Sequence, residues 1–260
     1  MNTMSPLHVH TYGPAHGPVV LAVHGVTGHG GRWRPLVEAE LPGTRVLAPD
    51  LRGHGRSPAE PPWTLEQHVV DLLAVLDEAG VERAVVLTHS FGGAIGLHLA
   101  RTAPERVRGL VLLDPATGVD AADALDAAAD ACTPDTWADP AAATEAKARD
   151  WAGAPRALVE EEVTTHLEQH PDGRWAWRTC TPAVVTAWSE MAREPVMPPP
   201  GVPTLLVPAL RVQPPLLSER YRTALAALDN VTVHPLDCNH MVPQLLPGQV
   251  GALVRPLLEP

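Results

Sequence analysis

A mostly parallel β-sheet covered by helices on both faces and interrupted by a helical insertion is the fold class that this 260-residue sequence predicts. Three observations predict it. Short apolar runs recur along the chain and alternate with amphipathic helical patterns, as the strands and crossover helices of a parallel sheet do. Most of those runs are continuously apolar, the texture of strands buried on both faces. One long interval, residues 116–202, carries no comparable run.

The elements follow in order. LHVHTY at 7–12 alternates and then meets Gly13 and Pro14, which predicts a short opening strand. Buried strands are expected at PVVLAVHG (18–25), TRVLAPD (44–50), ERAVVLTHS (82–90), VRGLVLLD (107–114), TLLVPA (204–209) and VTVHPL (231–236). Helical periodicity marks Leu65 to Gly80, where Leu72, Leu73, Leu76 and Ala79 form a stripe behind a Thr64 cap, then Gly92 to Arg101, Leu217 to Leu228 and Val250 to Leu258. The interval between the strand ending at Asp114 and the one starting near Thr204 reads differently. Ala-rich helical patterns at about 119–131, 141–152 and 155–169 and a helix from Pro182 to Arg193 precede the hinge Pro198, Pro199 and Pro200. Residues 1–115 and 203–260 are therefore expected to form one core, and 116–202 a helical cap. That cap holds 15 acidic against 6 basic residues and five of the seven tryptophans. Its expected role is a lid with an acidic outside and an aromatic underside.

Composition excludes several classes. With a formal charge of −11, and Arg101, Arg106 and Arg108 as the nearest thing to a cationic cluster, a nucleic-acid binder is not expected. The abundance of Ala and Pro, with one lysine (Lys147) among 19 basic residues, reads as coding bias. Cys132, Cys180 and Cys238 are widely spaced and odd in number, suggesting neither a disulfide framework nor a zinc ligand set. No stretch reaches the length of a membrane span, and the opening MNTMSPLHVHTYG has no basic segment or long apolar run; a cytoplasmic location is the expectation. GHGG at 28–31 makes neither a phosphate loop nor a dinucleotide fingerprint, so no cofactor and no metal are assigned.

Chemistry concentrates where strands end. In THSFGG, Thr88 to Gly93, a buried strand gives way to a helix, and a serine forced onto so tight a turn projects its hydroxyl off the sheet. Ser90 is thus the candidate nucleophile, although Thr88 stands where glycine is usual. A catalytic hydroxyl needs a base, and the base an orienting acid. His240, in the loop DCNHM after the last strand, falls at the same carboxyl edge; His89, beside the serine, reads as a buried packing residue. For the acid, the strand at 204–208 offers no carboxylate before Glu219, whereas GLVLLD ends in Asp114. Asp114 is assigned, with Asp237 or a cap carboxylate as the alternatives. In HGVTG, His24 to Gly28, a turn at Gly25 frees backbone N–H groups, and those of Val26 and Phe91 are the candidate oxyanion hole. Trp137, Trp151, Trp175, Trp177, Trp188 and Met241 are the candidate pocket lining.

HGVTG, APDLRGHGRS (Ala48 to Ser57), THSFGG, GLVLLDP and the late NHM together resemble the α/β-hydrolase superfamily over nearly the whole chain. The resemblance implies that fold, with the cap between the family's sixth and seventh strands. It also implies a structural turn at Asp50, Arg52, Gly53, His54 and Gly55, a nucleophile at Ser90, a base at His240 and oxyanion amides at Val26 and Phe91. The family's acid usually follows the strand that here ends near Pro208. A subset including the haloalkane dehalogenases carries it one strand earlier, which matches Asp114, while Ser90 excludes their aspartate-nucleophile chemistry. The nearest likeness is to actinobacterial esterase or lipase-like proteins sharing LLDPA and a WxWR stretch, here Trp175 to Arg178. The expected activity is therefore a carboxylesterase acting through an acyl-enzyme on uncharged, short- to medium-chain or apolar esters, without a cofactor. Thioesterase, lactonase, carbon–carbon hydrolase and perhydrolase reactions are open to the same triad, and a binding protein without turnover is the alternative of another class.

Overall fold

The computed structural model describes residues 6–259. The first five residues of the opening segment, and Pro260, lie outside the described residues. A seven-stranded sheet is built from β1 (Val9–Tyr12), β2 (Val19–Val23), β3 (Arg45–Pro49), β4 (Ala84–His89), β5 (Val107–Leu113), β8 (Thr204–Val207) and β9 (Val231–Val233). Their spatial order is β1-β3-β2-β4-β5-β8-β9. β1 pairs antiparallel with β3 and every other neighbour is parallel. All seven strands expected from the apolar runs are present.

The period of two along each strand divides the core. On β2, Leu21 and Val23 face α2 (Leu65–Glu78) and α3 (Phe91–Thr102), while Val20 and Ala22 face α1 (Arg34–Glu40) and α10 (Pro247–Leu258). The same alternation on β4 and β5 makes two apolar layers, one on each side of the sheet. Thr64 caps α2 by accepting from the Gln67 N–H at 3.3 Å, as its sequence position predicts. α1 was not expected; Pro35 at its first turn suits a helix start, but the helix is too short for its periodicity to stand out. α10 begins three residues earlier than the Val250 expected, again at a proline, Pro247.

Between β5 and β8 the insertion contains α4 (Ala121–Ala131), α5 (Pro140–Asp150), α6 (Arg156–His166) and α7 (Thr181–Met191). It also contains a hairpin absent from the helical expectation, β6 (Leu167–Gln169) against β7 (Trp175–Trp177). Three-residue strands joined through Asp172 and Gly173, whose φ is +84°, are too short to register as alternation in sequence. α4 and α7 contribute Ala124, Ala187 and Met191 to the main core, whereas α5 and α6 bury two small clusters, Ala143 and Val163 with Leu167 of β6 against Trp137, Trp175 and Trp177, and Val159 with Trp151 and Met241.

Besides the contact of Trp151 and Val159 with Met241, polar bonds fasten that outer part of the cap. Glu162 on α6 is buried against the loop after β2, accepting from Arg32 Nη2 at 2.6 Å and from the His29 ring at 2.9 Å. Burial would raise its pKa, but Arg32 and His29 hold the carboxylate well below its ordinary range. Arg34 pairs with the neighbouring Glu161. Near the other end, Glu190 accepts the Leu65 N–H at 2.8 Å, and the turn after β3 exchanges backbone bonds with Arg178 and Cys180.

Candidate active site

Backbone strain marks the site before any side chain does. Among the described residues three non-glycine positions have positive φ: Thr27 at 59°, Ser90 at 55° and Asp114 at 40°. All three stand at the carboxyl ends of adjacent parallel strands β2, β4 and β5, where open α/β sheets place their ligands. Each such residue costs about 1–3 kcal/mol and persists only because its surroundings hold it.

Ser90 closes β4 and opens α3. Its N–H donates to Leu113 O at 3.1 Å, and its own carbonyl accepts from Gly93 and Ala116 N–H groups, so the turn is fixed from both sides. Two glycines make it possible: a Cβ on Gly25 would lie 2.7 Å from Ser90 Cβ, and one on Gly92 would lie 2.4 Å from Val23 O. Thr88, the departure from the usual glycine, is absorbed by Gly96 on α3, where a Cβ would lie 2.7 Å from the Thr88 methyl. The Thr88 hydroxyl donates to Val111 O at 2.7 Å, so no buried polar group is left over.

Asp114 follows β5 with its N–H on Val207 O at 2.8 Å. One carboxylate oxygen accepts the Ala209 N–H at 3.0 Å, and the other lies 2.6 Å from His240 Nδ1. The Nδ1–H of His240 donates there, which leaves Nε2 as the free lone pair. Its loop lies between β9 and α9 (Val242–Leu245). His89 is buried as expected, its ring 4.6 Å from that of His240 and its Nε2–H donating to the His240 carbonyl at 2.7 Å. The alternative acid Asp237 pairs with Arg211 in solvent, and Glu219, the first carboxylate after the 204–208 strand, pairs with Arg222. Among the described residues the Ser90 hydroxyl itself makes no hydrogen bond.

Val26 and Thr27 are the central residues of a turn closed by Gly28 N–H on Gly25 O at 3.0 Å. Positive φ at its third residue, here Thr27, is what a type II turn requires. Phe91, as the first residue of α3, has no intrahelical acceptor for its N–H. Asp50 belongs to a different assembly. It accepts the Gly30 N–H at 2.7 Å and the Arg56 N–H at 2.9 Å, and Arg52 forms a buried pair with Asp71 at 2.7 Å. These are the bonds of a structural turn.

A cavity of about 600 Å³ lies between the cap and the loop after β2, lined among others by Thr27, Lys147, Trp177, Thr179, Thr181 and Val184. Of the six pocket candidates, Trp177 lines it. Trp137 and Trp175 pack inside the cap with Trp177, Trp151 packs with Val159 and Met241, and Trp188 lies against the main core. The indoles are largely occupied in holding the cap together, and the wall is correspondingly more polar than an aromatic underside would be. Sequence reasoning missed Lys147, whose ammonium sits 4.7 Å from the Trp177 ring and 5.4 Å from that of Trp151. It also missed the Glu162 fastening, because its partners are 130 and 133 residues away.

Fold, strained strand ends and the Asp114–His240 contact define a hydrolase of the α/β type. A profile of the alpha/beta hydrolase fold family matches residues 18–179, and the chain belongs to that family. It is 43% identical over 260 residues to Lipase LipV of Mycobacterium tuberculosis, covering 98% of each chain. In fold it is similar to E-2-(acetamidomethylene)succinate hydrolase, with a TM-score of 0.83, 21% identity and coverage of 96% of this chain and 94% of that one. It is likewise similar to a thioesterase domain from the curacin biosynthetic pathway, with a TM-score of 0.77, 19% identity and coverage of 95% and 94%. Among the described residues no helix is long and apolar enough to cross a membrane.

Proposed function

We propose that the chain is a serine hydrolase of carboxylic esters. The observation that carries this reading is the 2.6 Å contact between His240 Nδ1 and Asp114 Oδ2 at the same sheet edge as the strained Ser90. His240 takes the Ser90 proton through Nε2 as the hydroxyl attacks the ester carbonyl, and Asp114 stabilises the imidazolium that results. The N–H groups of Val26 and Phe91 hold the oxyanion of the tetrahedral intermediate. Collapse expels the alcohol with the proton from His240, and water, activated by the same base, releases the acid from the acyl-enzyme.

Residues 116–202 act as the lid of this site, and the 600 Å³ cavity that they form with Thr27, next to the Val26 amide, suits a small-molecule ester of short to medium chain. Threonine hydroxyls and Lys147 beside Trp177 and Val184 support a substrate with polar as well as apolar parts. The likeness to Lipase LipV supports acyl-ester chemistry over the thioester, lactone and carbon–carbon alternatives.

Mass spectrometry after treatment with a fluorophosphonate tests the reading. One label on the Ser90 peptide, lost in Ser90→Ala, is expected. Labelling that survives in Ser90→Ala, or none at all, overturns it, and the second outcome returns the binding-protein alternative. A panel of p-nitrophenyl esters of two to twelve carbons beside acyl thioesters, lactones and a vinylogous diketone ranks the reaction classes. A preference of more than about 100-fold in kcat/KM for another class, about 2.7 kcal/mol of discrimination, reassigns the chemistry.

A further inference from the structure

Outside the Ser90 cluster, the edge of the sheet brings together two histidines and a carboxylate from distant parts of the chain. β1 runs antiparallel to β3, and the Asp50 N–H donates to His8 O at 2.8 Å, so the residue after β3 lies beside the residue before β1. His8 and His10, two apart on an extended strand, share a face. The His10 ring Nε2 is 3.1 Å from Asp50 Oδ1, and the His8 ring sits edge-on to that of His10 with centroids 4.7 Å apart. One ligating atom from each of His8, His10 and Asp50 falls within 4.8 Å of the other two. A cavity of about 240 Å³, lined by His10, Asp50, Glu161 and the arginines Arg34, Arg56 and Arg178 among others, opens beside His10 and Asp50.

We propose that His8, His10 and Asp50 bind a divalent transition-metal ion of the zinc type, with water from the adjoining cavity completing its coordination. Imidazole nitrogen and carboxylate oxygen are ordinary ligands for such ions. Two atoms each about 2.1 Å from one ion in cis geometry stand about 3.0–3.5 Å apart, so the His10–Asp50 pair is already spaced for it. His8 has only to swing inward. Its ring makes no hydrogen bond among the described residues and is partly exposed. His10 turns to its Nδ1–H tautomer and gives the ion its Nε2 lone pair. Asp50 is a ready ligand, because the Gly30 and Arg56 N–H groups that its carboxylate accepts at 2.7 and 2.9 Å hold it in place when His10 turns to the ion. The charge of Arg56, felt at His8, opposes the ion and keeps the affinity moderate. Bound there, the ion pins the edge strand β1 to the structural turn that begins at Asp50.

The test uses this chain without a tag, stripped with EDTA, in a Cys132→Ser background, because an exposed thiol such as Cys132 competes for zinc. Titration with Zn²⁺ is expected to show one site by calorimetry and a rise in Tm that grows with zinc concentration. His8→Gln removes a ring that makes no hydrogen bond among the described residues; it is expected to weaken binding at least about tenfold, the equivalent of 1.4 kcal/mol, and to cancel most of the Tm shift. Imidazole nitrogen NMR should show His8 and His10 responding first. An unchanged affinity and Tm shift in His8→Gln, or first responses at His240 or another histidine, overturns the proposal, as does the absence of binding at millimolar Zn²⁺.

Discussion

The carboxyl edge of the sheet and the outer half of the cap are held by opposite means. At the edge, Thr27, Ser90 and Asp114 keep unfavourable backbone conformations because strands buried to 0% exposure on β2, β4 and β5 leave the chain no other path. In the outer cap, α5 and α6 bury a handful of side chains, and α6 is fastened by Glu162 to Arg32 and His29. Strain can be stored only where packing over-determines the backbone. The comparison teaches that the proposed chemistry sits on the part that packing over-determines, while the proposed cover is held by a few ion pairs and one small apolar contact.

The largest effects should come from the rigid edge. Ser90→Ala is expected to lower kcat by on the order of 10⁶, and Asp114→Asn by about 10⁴, both with the fold intact by circular dichroism. Ser90→Gly separates chemistry from strain: it is equally inactive, but its Tm should exceed that of Ser90→Ala, because glycine adopts φ near 55° at little cost. Equal melting of the two variants breaks the claim that strain is stored there.

The cap should respond differently. Glu162→Gln leaves the buried Arg32 guanidinium without its counter-charge, and removing one partner of a buried pair costs about 3–5 kcal/mol. The loss is expected to fall on the cap: faster hydrogen exchange over residues 156–177 and altered KM, with strand amides unchanged. Uniform destabilisation across the sheet would erase the distinction between the two regions.

The same division decided what was legible in the sequence. Apolar runs placed the inner sheet strands, since double burial writes itself into every residue of a strand, while alternation marked the opening strand. Ser90, Asp114 and His240 were nominated because strand ends can be located from those runs and the residue types there are few. The hairpin at β6 and β7 was missed because three residues carry no period. Of the cap indoles expected to line the pocket, Trp177 lines the cavity while the others pack within the cap or against the core, because composition says how much aromatic surface a segment owns, not which way it faces. Glu162 was invisible as a fastening, since nothing local to EEEV distinguishes it from Glu160 or Glu161.

Acid should find the core before it finds the cap's ion pairs. His54 is buried against the His24 ring and His68 against that of Phe91, and burial lowers their pKa values from 6.5 to about 4 and about 3. Their folded-state values lie below the unfolded one, so between pH 6.5 and about 4 the unfolded chain binds more protons and stability falls as the pH drops. For His54 alone the full effect is on the order of 3 kcal/mol. Glu162, held ionised, loses its contribution only at lower pH. Urea midpoints measured from pH 7 to 4 should decline steadily, and His54→Gln should flatten the slope. A slope unchanged in that variant would transfer the acid sensitivity elsewhere.

The smallest effect tests whether the one irregularity in the nucleophile motif is a compensated pair. Thr88 and Gly96 face each other across β4 and α3, with room for a methyl on one side only. Gly96→Ala should therefore overpack the contact and cost about 1–3 kcal/mol, although alanine is the better helix former. Thr88→Gly removes the methyl and the hydroxyl bond to Val111 O, and should cost about 1–2 kcal/mol by itself. The double variant Thr88→Gly, Gly96→Ala restores the more usual glycine and fills the vacated space from the helix side. A double-mutant cycle should thus give a favourable coupling of about 1 kcal/mol or more, with esterase activity retained in all four proteins. Strict additivity would mean that Thr88 and Gly96 tolerate one another by accident, and that the turn at Ser90 is fixed by Gly25 and Gly92 alone.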